Sequence, residues 1–214
     1  MTPINTFQYA GIFESHITIC TKSLATLQRF QRFCQQLKVK CLLIELPSGV
    51  TRTQPMSASY HRGTLTQVWT EAQHLAQQMW LAGFQVIRVK IEAMVYNQDI
   101  PIQDGEVWQH RATNYFEFHI RALLSKEINL EALRQNCAES GAHLSVNAFK
   151  LSINGQQHQR FITLRVYQRG LRSAQARFQD LLTSLRAKQI LLVQPQQEYT
   201  VYDSNLGLDA GWSM

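Results

Sequence analysis

One unit is written twice in this chain. Phe13-Glu14-Ser15-His16-Ile17 recurs as Phe116-Glu117-Phe118-His119-Ile120, and Arg62-Gly63 recurs as Arg169-Gly170. Glu92 followed by Val95-Tyr96-Asn97 returns as Glu198 followed by Val201-Tyr202-Asp203. The offset drifts by only a few residues between matches, as loop insertions between preserved elements would cause. Whatever fold suits one copy must therefore suit the other.

Each copy reads as strand, helix, strand, strand, helix, strand. In the first, residues 12–20 alternate and carry Ile17 and Ile19 on one side. Ser23 can cap a helix whose Leu24, Leu27, Phe30, Phe33 and Leu37 fall at helical spacing. Strands are expected at about 40–46 and 54–61, turned at Pro47-Ser48-Gly49. A helix over 64–81 offers Leu65, Val68, Trp69, Leu75 and Trp80 to a core and ends at Gly83, before a last strand at 84–95. The second copy predicts strands near 115–124, 142–151, 159–168 and 190–202, with helices at 129–139 and 171–187 and a hairpin turn at Asn154-Gly155. This order is the split βαβ arrangement, with both helices on one face of a four-stranded antiparallel sheet. The fold class is α+β, two tandem ferredoxin-like (βαββαβ) repeats with pseudo-twofold symmetry. Repeat 1 covers residues 1–97, a linker without apolar period 98–113, repeat 2 114–203, and a tail 204–214, which carries Leu206, Leu208 and Trp212, is expected to dock on the body through Trp212.

Composition narrows the setting. A hydrophobic content of 45% with a formal charge of +6 excludes a disordered chain. No window approaches the roughly 20 apolar residues of a membrane span, and no signal peptide is visible at the start. Cys20, Cys34, Cys41 and Cys137 have neither metal-ligand spacing nor the density of a secreted scaffold, which points to reduced thiols in the cytoplasm. Cys34 and Cys137 fall within helical apolar patterns and read as core filler. The basic residues are spread out. Arg172, Arg177, Arg186 and Lys188 on one helix read as a solvated face, so nucleic acid is not expected as a partner. The glycines of the two Arg-Gly pairs read as turn requirements, with anion binding at a helix start as the other reading.

Strand alternation identifies what the face opposite the helices carries. In the first copy it is Glu14, His16 and Thr18 with Arg88, Lys90 and Glu92; Glu14 is expected opposite Lys90 or Arg88 as a cross-strand pair. In the second it is Glu117, His119 and Arg121, with His143, Ser145, Asn147, Thr163, Arg165 and Tyr167. A solvated sheet face would be polar in any case, yet solvation does not require Glu-x-His at the same place twice. If both faces line one cleft, His16 and His119 are candidate acid and base, oriented by Glu14 and Glu117. Thr18, Arg88, Lys90, Glu92, Arg121 and Arg165 would then hold a phosphorylated or otherwise acidic small molecule. The alternative is a noncatalytic binding or structural module whose charged faces form ion-pair networks. Glu14, His16, Glu117 and His119 could ligate a metal, but the nearby Arg and Lys oppose a cation; neither metal nor cofactor is expected.

His16-Ile17-Thr18-Ile19 resembles the His-x-Thr signature of the two-histidine phosphoesterases, bilobal enzymes that use one such motif from each lobe on cyclic or 2′,5′-linked phosphodiesters. The second copy reads His119-Ile120-Arg121 at this place. The resemblance implies a phosphodiesterase-like hydrolase with His16 and His119 as acid and base. Over nearly its full length the chain also resembles an uncharacterised bacterial family of duplicated ferredoxin-like proteins. Phe13-Glu14-x-His16, Tyr115-Phe116-Glu117-x-His119, Val89-Lys90-Ile91-Glu92, Tyr202-Asp203-Ser204-Asn205 and Asp209-Ala210-Gly211-Trp212 carry that likeness, which implies the architecture and no activity.

Overall fold

The computed structural model describes residues 7–210 apart from 22, 47, 48, 50, 126, 151 and 154–156. It is an α+β protein built from antiparallel strand pairs and helices. The first segment runs β1 (Gly11–Ile19), α1 (Leu24–Gln36), β2 (Lys40–Glu45), β3 (Thr53–Gly63), α2 (Leu65–Leu81) and β4 (Val86–Met94). The second runs β5 (Tyr115–Ser125), α3 (Leu130–Glu139), β6 (Ala142–Asn147), β7 (Ser152–Ile153), β8 (Gln157–Tyr167), α4 (Leu171–Ala187) and β9 (Leu191–Asp203). Among the described residues no helix is long and apolar enough to cross a membrane. The expected turns at 47–48 and 154–155, and Trp212, lie outside the described residues.

Local chemistry sets the boundaries. Ser23 and Asn129 cap α1 and α3 through their side chains, and Thr64 with Gln67 forms a capping box on α2. Within the linker Asp104–Gln109 forms a 3₁₀ turn, held where Glu106 accepts backbone N–H groups from Ile102 and Gln103 at 2.6 and 3.2 Å. The strand expected over 142–151 stops at Asn147, whose side-chain oxygen accepts the Phe149 N–H at 3.1 Å and diverts the chain into a 3₁₀ turn.

Compactness divides the chain into two units whose boundaries fall inside β2 and β9. Unit 1 comprises Met1–Leu43, Gln54–Ile100 and Tyr199–Leu208; unit 2 comprises Ile44–Thr53, Pro101–Glu198 and Asp209–Met214. In unit 1 the strand order is β4-β1-β3-β2, with the end of β9 beside β4. Phe13, Ile17, Ile19, Val89 and Ile91 are buried on its helix side, along with Phe30 and Cys34 of α1. From α2 the buried stripe is Leu65, Val68, Ala72, Ala76 and Met79. Trp80, expected in the core, is 66% exposed, because it lies one residue, about 100° of helix, past Met79.

In unit 2 the order is β9-β5-β8-β6, with β7 on β8 and the last residues of β2 pairing Ile44 with Asn147. Phe116, Phe118, Ile120, Ile162, Leu164 and Val166 form the sheet side of its core. Leu133 and Cys137 of α3 and Phe178, Leu181 and Leu185 of α4 form the helix side, and the rings of Phe118 and Phe178 stack at 4.6 Å.

Candidate functional site

Alternation along β1 sends Phe13, Ser15 and Ile17 into the core and places Glu14, His16 and Thr18 on the other face. In the antiparallel register Glu14 lies opposite Glu92, His16 opposite Lys90 and Thr18 opposite Arg88. Glu14 is therefore directly opposite a carboxylate, where Lys90 or Arg88 was expected. Lys40 of β2 lies 3.7 Å from Glu14, and Lys90 lies 2.8 Å from Glu92. This face is also not the solvated one that a free sheet would present, since Glu14, Thr18, Arg88, Lys90 and Glu92 are all buried. Burying charge on this scale requires compensation within the protein. Arg88 donates to Asp203 through two prongs, from Nε to Oδ1 at 3.0 Å and from Nη2 to Oδ2 at 2.5 Å. His16 Nε2 lies 3.0 Å from Glu92, and the hydroxyl of Thr200 donates to Glu92 at 3.3 Å.

Unit 2 repeats the theme with different partners. Glu117 lies opposite Arg165 and His119 opposite Thr163. Arg165 donates to Glu117 from Nε at 3.1 Å and Nη2 at 3.4 Å, meets Asp209 at 2.9 Å, and stands 5.1 Å above the ring of Tyr115. Burial alone would push the Arg165 guanidinium down; the charge of Glu117, aided by Tyr115, Asp209 and Tyr167, reverses this and holds it well above its ordinary value. His119 sits 3.3 Å from Glu117 and 3.8 Å from Glu198 through Nε2, while Nδ1 meets the Thr163 hydroxyl at 2.9 Å. Arg121 is half-buried further along β5 on the same face, by alternation. Ser145 and Asn147 are buried and His143 half-buried on β6, while Tyr167 is 48% exposed at the end of β8. A cation entering unit 2 between His119 and Glu198 would find Glu117 already shared with Arg165.

Within its unit each candidate thus joins a histidine, a carboxylate and a cation on one sheet face. Sequence reasoning missed the partners that close these networks: Asp203, Glu198 and Asp209. Asp203 occupies the repeat position of Asn97, which instead accepts the Ile12 N–H at 2.9 Å and donates to the Ile12 carbonyl at 2.7 Å. Of these two residues, matched in the sequence, Asn97 serves backbone and Asp203 serves charge.

A second polar arrangement had no sequence signal. His61 lies opposite Phe13, hence on the helix side of the sheet, and bridges Ser15 and Glu71. Its Nδ1 donates to Glu71 at 2.7 Å, and its Nε2 lies 2.8 Å from the Ser15 hydroxyl. The order serine, histidine, carboxylate matches that of a hydrolase triad, but Ser15 is 1% exposed within the core, so the relay ties α2 to β1.

No family model matches the chain, and no curated protein matches it. Among solved structures, a dye-decolorizing protein from V. cholerae is similar at a TM-score of 0.26 and 9% identity, covering 97% of this chain and 98% of that one. A candidate chlorite dismutase is similar at a TM-score of 0.26 and 12% identity, covering 90% and 95%. At those values neither protein's chemistry carries over to this chain.

Proposed function

We propose that the chain is a duplicated ferredoxin-like protein, two βαββαβ copies related by pseudo-twofold symmetry, acting as a noncatalytic binding module in the cytoplasm. Its Glu-x-His faces are internal ion-pair networks. The observation that carries this reading is the commitment of the arginines. Arg88 and Arg165, the side chains best suited to grip a phosphate with two N–H groups, already grip Asp203 and Glu117 in that way. Lys90 is likewise placed on Glu92 at 2.8 Å. The order β4-β1-β3-β2 in unit 1 and β9-β5-β8-β6 in unit 2 supports the duplication, and the four free thiols accord with a reducing compartment.

A second reading has its own support. Nδ1 of His16 and the hydroxyl of Thr18, two residues apart on one face, are buried and meet no hydrogen-bond partner among the described residues. Such groups cost about 1–3 kcal/mol each when left unsatisfied; a phosphoryl oxygen could accept from the Thr18 hydroxyl, and a phosphate hydroxyl could donate to Nδ1. This is the chemistry that the resemblance to the two-histidine phosphoesterases implies.

Melting and calorimetry of full-length His16→Ala and His119→Ala separate the two. The module reading expects each variant to melt a few degrees lower, with the response to phosphate unchanged. A variant that melts like the wild type but loses nucleotide binding, or that binds a cyclic phosphodiester and no longer turns it over, favours the phosphoesterase reading.

A further inference from the structure

Unit 2 contains a cavity of about 500 Å³ on the other side of its sheet from Glu117, His119 and Arg165. The register places it: Arg160 of β8 lies opposite Ala122, and residues directly opposite share a face, here the face of Ile120 and Ile162 that the helices cover. Arg160 lines the cavity with Arg134 of α3 and Arg52 of the β2–β3 connection, which is pinned where the Leu46 N–H donates to the Arg52 carbonyl at 2.8 Å. Leu130, Leu144 and Val146 form apolar wall.

The charge balance here is the reverse of that in the Glu-x-His networks. Three guanidinium groups meet one lining carboxylate, Glu45. Arg134 pairs with Glu131 one turn back on the exposed surface of α3, a contact of little strength in water. Arg52 and Arg160 donate to backbone carbonyls, of Leu46 at 3.4 Å and Gln159 at 3.0 Å, and neither pairs with a carboxylate among the described residues. Burial pushes the Arg160 guanidinium below its ordinary value, and the positive charge of Arg134 pushes it further. Like charges held this close repel one another, and an oxyanion between them removes the repulsion.

We infer that this cavity binds a small amphiphilic oxyanion, a phosphate ester or carboxylate carrying a compact apolar body. The guanidinium forks of Arg134 and Arg160 take the oxyanion, Arg52 adds charge at the rim, and Leu130, Leu144 and Val146 take the apolar part. The volume lies within the range of small-molecule sites. The site stands on the geometry of unit 2 alone and does not depend on the role of the Glu-x-His faces.

Titration calorimetry on the full chain tests this with phenyl phosphate, benzoate, inorganic phosphate and benzyl alcohol. Phenyl phosphate is expected to bind saturably and to weaken with added salt, with inorganic phosphate and benzyl alcohol each at least about tenfold weaker. Comparison with benzoate ranks the phosphate ester against the carboxylate. Removing a charge-assisted hydrogen bond should cost about tenfold or more. Arg160→Leu and Arg134→Leu should therefore each weaken phenyl phosphate by that factor, Arg160→Lys should recover part of it, and Glu45→Gln should tighten binding. Circular dichroism confirms that the variants fold, and Arg160→Lys carries the test if Arg160→Leu does not. No saturable binding by the wild type overturns the inference, as does binding that the arginine variants leave unchanged, or inorganic phosphate binding as tightly as phenyl phosphate. If His16→Ala or His119→Ala, rather than the arginine variants, abolishes binding, the oxyanion sits on the Glu-x-His faces and the cavity assignment fails while the phosphoesterase reading gains.

Discussion

Arg165 is held in place by two carboxylates, Glu117 and Asp209, that are themselves almost fully shielded from water. Replacing it with methionine keeps the packing volume but leaves both charges without their cation. Breaking a buried pair from one side costs about 3–5 kcal/mol, so Arg165→Met should show a loss of that order in urea unfolding. Combining it with Glu117→Gln should cost less than the two single changes added together, because neither group then needs the other; a strictly additive result would mean that the pair does not couple. The paired Glu-x-His was legible in the sequence because a strand's period of two sorts residues onto faces without knowledge of the rest of the fold. The counter-charges were not, because Asp203, Glu198 and Asp209 reach their partners from distant positions in the chain, and a face containing Arg and Glu reads equally well as hydrated or as paired.

At the scale of elements, the two Arg-Gly pairs have different reasons for their glycine. Gly63 has φ of +152°, where side chains are rarely tolerated, whereas Gly170 has an ordinary φ of −73° and is needed for space. A Cβ there would come within 2.4 Å of the Gln103 backbone, while at Gly105 it would meet nothing within 4 Å. Gly170→Ala should destabilise the protein by about 1–3 kcal/mol and Gly105→Ala much less, as read from thermal melts. The Gly170 N–H donates to Asp104 at 2.7 Å. That bond, with Ser173 and the charge of Arg169, outweighs desolvation and holds the Asp104 carboxyl below its ordinary 3.8. A depressed carboxyl stabilises the fold above the unfolded value and loses that contribution as pH falls through the folded one. Asp104→Asn should therefore flatten part of the acid limb of the stability curve below about pH 4. Helix and strand order were readable from period and caps. The 3₁₀ turn of the linker was not, because it is held by one carboxylate on two amides and has no apolar stripe.

At the scale of the whole molecule, the C-terminal segment is bound into unit 1. The Ser204 hydroxyl accepts the Val89 N–H at 2.8 Å, Asn205 donates to the Ile87 carbonyl at 3.0 Å, and Leu208 is 7% exposed. Deleting residues 205–214 also removes Asp209 from Arg165, and the shortened protein should melt several degrees lower, since each 1 kcal/mol is worth about 2–4 °C at this size. An unchanged melting curve would show that these contacts contribute nothing. The sequence pattern made the order of strands and helices legible. It gave no sign that β2 and β9 each contribute to both units, because pairing between distant strands leaves no periodicity.

That division has a consequence for biosynthesis. Unit 1 includes residues 199–208, which leave the ribosome after nearly all of unit 2. Domains of a nascent chain generally fold in the order in which they emerge, but here the first unit waits for the final strand, and for that interval the edge of β4 has no neighbour on its β9 side. A nascent chain arrested at residue 190 should therefore expose β4 to proteolysis, and a polypeptide ending in the 98–113 linker should be soluble only when the remainder is supplied in trans.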